Sequence, residues 1–436
     1  MSDRRALVVG TTCDYVDIIC RRFPQRAIFI TDGSLRAKAT EPSPPEGAEL
    51  LCDLTRPESV LPALRRHLDR FAFQLSGIAC FDCESMSLAA LIAQSLGLPY
   101  PSAEAIVACR CKFRSKQLWR KARLPCPRVE LVESSSDAVQ FMQSIGGAVV
   151  LKPLTGSGSE FLFLCGDEEE CADAFETLRS RLADHRDVRM YAPYRLDGRS
   201  VDPRRVFVAE EFVRGDEYSC DFVLDAGRAS ILRTARKVHD PTQPFGTTLA
   251  YAVPADPPLR LDGEGFAGQL RRASQSLGLN RAICMLDFVI RDGQACMIEL
   301  APRPGGDCIP PLLLASCGMD MLKCAIDFAE GLPAAAPALS SWRHLAGVRL
   351  FASRGGEIAR IDASALRRDR RVVDCCLTRS PGHRVVLPPE DYASRLLGYA
   401  IFQPARPEGL EGQCLDIASN LRVEMKTPTC ATVNPS

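Results

Sequence analysis

Two stretches of this chain hold residue types that can handle phosphate and a hard cation. The first, Lys152-Pro153-Leu154-Thr155-Gly156-Ser157-Gly158-Ser159, follows directly on an apolar run at 148–151. Small residues let successive backbone N–H groups close on phosphate oxygens, hydroxyls add donors, and the lysine ahead of them supplies a compact positive charge. On composition alone the same run also reads as a flexible hairpin tip. The second stretch, 285–300, reads as a hairpin carrying Asp287 on one strand and Glu299 on the other. A three-residue Arg291-Asp292-Gly293 loop with Gly293 left-handed sets Asp287 opposite Met297. It places Glu299 diagonal to Asp287 on the same face, with Leu286, Phe288, Ile290, Ile298 and Leu300 on the core face. A two-residue Asp292-Gly293 turn instead sends the two carboxylates to opposite faces. Two acids on one face near a phosphate loop make a site for Mg2+, which takes oxygen ligands and shares its shell with phosphates. The competing reading is a pair of solvated strand carboxylates. Arg303, four residues beyond Glu299 in Ala301-Pro302-Arg303-Pro304-Gly305-Gly306, offers a planar guanidinium suited to a carboxylate or a developing phosphate charge.

The elements that must position these groups alternate in type over the first hundred residues. Apolar runs at 6–10, 26–31 and 77–80 read as strands, and 60–71 and 88–96 as helices, which argues for a parallel α/β sheet. The turn Gly10-Thr11-Thr12-Cys13-Asp14 lacks GxGxxG, and no GxxxxGK[ST] run exists, so neither a dinucleotide fingerprint nor a P-loop is present. From about 106 the texture changes. A basic helical segment at 112–121 stops before Pro125 and Pro127, and 206–235 reads as an antiparallel meander of three strands. The run 331–337 (GLPAAAP) has linker composition, and a smaller α+β segment with glycine turns follows it.

The chain has 436 residues, 46% hydrophobic and 25% charged, which suits a folded protein of two or three domains and excludes a disordered or fibrous one. Lys plus Arg and Asp plus Glu both number 54, so no global basic excess points to nucleic acid or an acidic membrane. No apolar stretch approaches the ~20 residues of a membrane helix, and the apolar run after the N-terminus is too short for a secretory signal. Twenty cysteines are scattered mostly among apolar neighbours, as at Cys165, Cys284 and Cys296. They read as buried thiols of a reducing, cytoplasmic compartment with no disulfide framework. Cys80, Cys83, Cys109 and Cys111 could in principle hold zinc, but their spacing is not that of a usual knuckle, and buried thiols are favoured. Of the five histidines only His239, close to Lys237, lies near the other candidate residues. The run Arg367-Arg368-Asp369-Arg370-Arg371 reads as a solvated turn.

Taken in order, four segments resemble the ATP-grasp superfamily, specifically its carboxylate–amine ligases of the L-amino-acid-ligase-like kind. CKFRSKQLWRKARLPCPR looks like the helix with the first phosphate-binding lysine, and VLKPLTGSGS like the strand, lysine and phosphate lid. VAEEFVRGDEYSCDFV looks like the adenine hinge and ribose acid, and MLDFVIRDGQACMIELAPRPGGD like the metal-binding hairpin. The resemblance implies a mixed α/β and α+β protein with an ATP-grasp fold. Its parts would be a pre-ATP-grasp α/β domain at 1–105, an ATP-grasp domain at 106–330 and a small C-terminal α+β lid domain at 331–436. Within the second, the ATP lid would span about 125–215 and the metal hairpin 283–300.

Carried over by position, the resemblance implies that Lys112 and Lys152 meet the ATP phosphates beneath a lid of Gly156, Ser157, Gly158 and Ser159. Backbone groups of Glu211 and Val213 would pair with the adenine edge, with Glu210 beside them, and Glu217 would bond the ribose hydroxyls. Asp287 and Glu299 would hold one or two Mg2+ ions, with Mn2+ as an alternative. Arg303 would face the acyl substrate, and Lys237 would stand near the transferred phosphate. One departure is Ala301, where the family often has an asparagine; its methyl cannot ligate, which weakens a second Mg2+ site.

The implied reaction is ATP-dependent amide or peptide bond formation through an acyl phosphate. Its partners would be a small carboxylate, such as an amino acid, and an amine, acted on by a homodimer without nucleic acid or membrane. Two rivals stay open. One is a carboxylase using bicarbonate; Val423-Glu424-Met425-Lys426-Thr427 superficially resembles a biotin-attachment run, but the ten residues after Lys426 are too few to complete a lipoyl-type barrel. The other is a non-catalytic nucleotide-binding module, suggested only by Ala301.

Overall fold

The computed structural model describes residues 3–260 and 265–426. Thr427, which ends the biotin-like run, lies outside them, as do the residues that follow it. Strands Asp3–Val9, Ala27–Asp32, Glu49–Cys52 and Phe73–Ala79 form a parallel sheet in the order third, second, first, fourth. Leu7, Val9, Ile28 and Ile30 pack on one side of it, and Ala6, Val8 and Phe29 on the other. A strand buried on both faces reads as an unbroken apolar run, which is why the sequence expectation of a parallel sheet succeeds here.

Two antiparallel sheets follow. The smaller, in the order Val129–Val132, Phe207–Glu211, Val149–Pro153, Phe163–Cys165, is contacted by helices Ser135–Ile145 and Glu168–Ala183. The larger has eight strands and contains Asp216–Asp225, Arg228–His239, Thr248–Val253 and the hairpin Ala282–Arg291 with Gln294–Ala301. Beyond the run at 331–337 the chain rejoins this same sheet, strand Leu345–Phe351 pairing with Thr248–Val253. The meander expected at 206–235 is therefore split, because its first strand belongs to the smaller sheet. The crossing point is Gly215, with φ +156°, where an added Cβ would come within 2.1 Å of the Ile290 carbonyl oxygen. Only a glycine lets the backbone leave one sheet that close to the edge of the other.

The hairpin corrects the expected register. Its turn is the two-residue Asp292-Gly293, both with positive φ (+54° and +78°), and Arg291 pairs with Gln294. Continued unbroken, that register would send Asp287 and Glu299 to opposite faces. Between Phe288 and Asp287 it shifts by one: Phe288 faces Met297, and Asp287 faces Glu299 directly, with Ile298 as the extra residue. Such a bulge re-aims every side chain beyond it. The two-residue turn already pairs Met297 with Phe288, so Met297 takes the core position expected for Ile298, among Leu286, Phe288 and Leu300, and Ile298 turns to the cleft.

No described cysteine forms a disulfide, and no single helix among the described residues is long and apolar enough to cross a membrane. Beneath the Arg303 loop, Asp221 and Arg233 pair across neighbouring strands at 2.9 Å, both side chains fully buried. The other Asp221 oxygen accepts the Gly305 N–H at 3.1 Å, so this ion pair anchors the loop. Removing one member of a buried pair strands the other charge, at a cost of about 3–5 kcal/mol. Asp221→Ala is expected to lose stability on that scale in urea denaturation; a loss below about 1 kcal/mol would contradict the anchoring role.

Candidate active site

The smaller sheet closes over the larger one to leave a cleft of about 160 Å³. Every candidate site residue named from the sequence lines it: Lys112, Lys152, Gly156, Ser157, Gly158, Ser159, Glu210, Glu211, Val213, Glu217, Lys237, Asp287, Glu299 and Arg303. They arrive from five places: the start of helix Lys112–Lys121, the end of strand Val149–Pro153 with its following loop, the crossing between sheets, strand Arg228–His239, and the bulged hairpin with the loop that follows it.

At the helix start, the Lys112 N–H donates to the Leu154 carbonyl at 3.0 Å, which ties the helix to the small-residue loop. Its ammonium donates to the Gly156 carbonyl at 3.0 Å and lies 3.7 Å from Glu299. One turn on is Lys116, which the sequence reading missed. It is wholly buried, donates to the Ile298 carbonyl at 2.6 Å and pairs with Glu210 at 2.8 Å. The other Glu210 oxygen lies 2.5 Å from Lys152. The Glu210 carboxylate, expected beside the adenine edge, is thus clamped between two lysines. Burial opposes its charge, but Lys116 and Lys152 outweigh it and hold the acid below the ordinary carboxylate range. For Lys152 burial wins over Glu210, with Lys116 and Lys112 adding repulsion, and its pKa falls to about 8. A signal for Lys116 did exist: Lys112, Ser115, Lys116 and Trp119 follow the i, i+3, i+4, i+7 spacing of a buried helix face, and all four are buried.

Lys237 lies between Glu217 at 3.0 Å and Asp287 at 3.5 Å, and His239 Nε2 sits 3.2 Å from Glu217. Burial alone would depress Lys237, but Asp287 and Glu217 hold it above its usual range. The same contacts overcome burial to pull Glu217 well down. The facing acids diverge. Burial, with repulsion from Glu299 and Glu217, raises Asp287 against the pull of Lys237. Glu299 is held low despite burial by Lys112, Lys116, Lys152 and Arg303. Two carboxylates paired across a bulge supply hard oxygens for part of a shell. No group of three or more His, Cys, Asp or Glu suited to a metal assembles among the described residues. That donor set fits Mg2+, which completes its shell with water and substrate phosphate.

At the other end of the cleft, the Glu211 N–H is spent on the Arg128 carbonyl at 2.9 Å, and its carboxylate pairs with Arg291 at 2.8 Å. Val213 is buried there. Arg303 donates to the Cys83 Sγ at 3.0 Å and to the Pro304 carbonyl at 2.8 Å. The four thiols considered for zinc are all buried and serve apart: Cys80 donates to the Asp82 carbonyl, Cys83 meets Arg303, Cys111 caps the Lys112–Lys121 helix, and Cys109 packs in the core with Trp119. In the basic run, Arg371 is tied to Asp369 and Asp416.

Residues 145–311 match the family model described as an ATP-grasp domain. The chain is 26% identical over 323 residues to carnosine synthase 1 of Homo sapiens, covering 71% of this chain and 36% of that protein. It is 26% identical over 218 residues to D-alanine–D-alanine ligase B of Chromobacterium violaceum, covering 49% and 64%. It thus spans less than two thirds of either relative. Among solved structures, an L-amino acid ligase from Bacillus licheniformis superposes with a TM-score of 0.74 over 97% of this chain and 99% of that one, at 17% identity. At that identity the likeness establishes the fold.

With a pKa near 8, Lys152 carries its charge below that pH and loses it above. Affinity for ATP is therefore expected to weaken several-fold from pH 7 to pH 9 by isothermal titration calorimetry, and Lys152→Arg, charged throughout, to flatten the profile. A flat profile in the native protein would contradict the assignment.

Proposed function

We propose, on the premise that this chain is built around an ATP-grasp domain, that it joins a small carboxylate to an amine at the expense of ATP. The carrying observation is the meeting of Asp287 and Glu299 across the Ile298 bulge, in one cleft with Lys112, Lys152 and Arg303. A carboxylate is a poor electrophile and must be activated first. In this reading its oxygen attacks the γ-phosphorus of ATP, the bond to the bridging oxygen breaks, and ADP leaves. The amine then attacks the acyl carbon, the C–O bond to phosphate breaks, and the amine proton is lost as the amide forms.

Phosphoryl transfer rests mainly on positioning and charge neutralisation. Lys112 and Lys152 receive the phosphates, with Gly156, Ser157, Gly158 and Ser159 covering them and keeping water from the acyl phosphate. Glu210 acts through those lysines as a positioning residue. The Glu211 carbonyl and Val213 N–H meet the adenine edge, and Glu217 the ribose. Lys237, between the ribose acid and Asp287, stands where the transferred phosphate passes. Arg303 orients the acid substrate and then stabilises the oxyanion of the tetrahedral adduct. Asp287 and Glu299 would hold one Mg2+, or two if water replaces the ligand that Ala301 lacks; the bound ion supplies neutralisation of phosphate oxygens.

The units 1–105, 106–330 and 331–436, a cytoplasmic location and a homodimer complete the proposal. Amino acids are the favoured substrates, because the chain is similar to a D-alanine–D-alanine ligase and to an L-amino acid ligase. Bicarbonate as the acid has no residue in its favour here.

Two outcomes test this. Glu299→Ala is expected to abolish ADP release while the circular dichroism stays native; full turnover would remove the metal assignment. In a screen of paired amino acids and carboxylic acids for phosphate release, native protein is expected to respond to an acid–amine pair. A response to bicarbonate alone would favour the carboxylase, and ATP binding with no release in any mixture the non-catalytic module.

A further inference from the structure

A second cavity, of about 320 Å³, lies beside the phosphate cleft, between the N-terminal parallel sheet domain and the segment 188–194 of the smaller-sheet unit. That size falls in the usual range for small-molecule sites, about 300–1,000 Å³. Its walls are mainly apolar, with Leu54, Leu88, Val107 and Met190 among them. Between it and the cleft lies a narrow neck of about 10 Å³, room for about one water. Arg110 and Met190 line both chamber and neck, and Gly156 and Glu299 line both neck and cleft. Ala301 forms part of the neck wall, so the residue that cannot ligate a metal contributes only a methyl group where a longer side chain would narrow the passage.

Three charged groups line the chamber. Arg110 and Arg189 face it with the carboxylate of Glu84, which accepts from Ser157 at 3.5 Å; Arg189 is engaged, donating to Ser85 at 2.6 Å beside Asp82, and Arg110 is the cation left to the chamber. Arg110 donates to Ser87 and to the Met190 carbonyl, each at 3.0 Å, but its buried Nε has no hydrogen-bond partner among the described residues. An unspent guanidinium N–H in an apolar chamber asks for an anion.

We propose that this chamber binds the amine substrate, an α-amino acid with an apolar side chain and a free carboxylate. The proposal rests on the ligase reading and names which partner sits where. When two amino acids condense, the acid partner keeps its ammonium and the amine partner keeps its carboxylate. The unspent Arg110 guanidinium donor therefore selects the amine partner. Its carboxylate takes the Arg110 donor, its side chain fills the Leu54–Leu88–Val107 wall, and its nitrogen points through the neck to the phosphate end of the cleft, beside Gly156 and Glu299.

The test uses L-leucine, glycine and L-leucinamide as amines, with the acid found by the screen held saturating. Native protein is expected to favour L-leucine over glycine in kcat/KM at least tenfold, and over L-leucinamide, which lacks the carboxylate. Val107→Trp fills the chamber from the helix side, and Ala192→Trp fills it from an exposed position outside the core. Both are expected to shrink the leucine-to-glycine ratio at least tenfold, and Arg110→Gln to remove the preference over leucinamide. Equilibrium dialysis of L-leucine in the presence of ADP reads the chamber without turnover, and both tryptophan variants should lose that binding. Native ratios and native leucine binding in both variants would overturn the proposal. Native protein that binds leucine in this Val107-dependent way but releases no ADP with any pair would overturn the ligase reading and leave the chamber.

Discussion

The cleft depends on one carboxylate. Glu210 lies between the ammonium groups of Lys116 and Lys152, all three buried. Sites for a polyphosphate need positive charge in place before the ligand arrives, yet each buried ammonium costs several kcal/mol unless it is paired. Glu210 meets that cost for two lysines with one charge and leaves a surplus facing the loop. The same economy runs through the cleft. Lys112, Lys116, Lys152, Lys237 and Arg303 stand against Glu160, Glu210, Glu211, Glu217, Asp287 and Glu299, five cations to six carboxylates. A divalent ion added to that balance brings the cleft toward the charge a triphosphate requires.

Two local backbone features bring these charges together. Gly215 lets the chain cross from one sheet to the other within touching distance of the hairpin edge, so Glu210 and Glu217 fall on two sides of one cleft. The bulge at Ile298 turns Glu299 to face Asp287, and the Ile298 carbonyl it exposes is the acceptor for Lys116. The hairpin and the lysine helix are thus joined at the residue that breaks the register. Farther out, the buried Asp221–Arg233 pair fixes the loop that carries Arg303.

Much of this was legible in the residues. The parallel sheet followed from strands apolar on both faces, and the helix at 112–121 from its basic run ended by prolines. The candidate side chains were named because their types and order fit phosphate and Mg2+ chemistry. Three things were not legible. The turn length and the bulge have compensating effects on facing, and alternation of apolar residues cannot reveal a one-residue insertion in one strand. The strand at 207–211 has the same apolar texture as its successors, and only the crowding at Gly215 shows that it leaves their sheet. Lys116 shares a buried helix face with Trp119, which the spacing shows, but the carboxylate that pairs with it, almost a hundred positions away, is found only once the fold places it.

The most direct test of the buried lysine–glutamate–lysine cluster is ATP affinity in Glu210→Gln as a function of pH. Without the carboxylate, burial and mutual repulsion lower the lysine pKa further, so the charge is missing at pH 7.5 and returns on acidification. The expected result is a Kd at least about tenfold weaker than native at pH 7.5 that recovers toward native at pH 6, in protein that remains folded. A variant with native affinity and a native pH profile would contradict the central role given to Glu210.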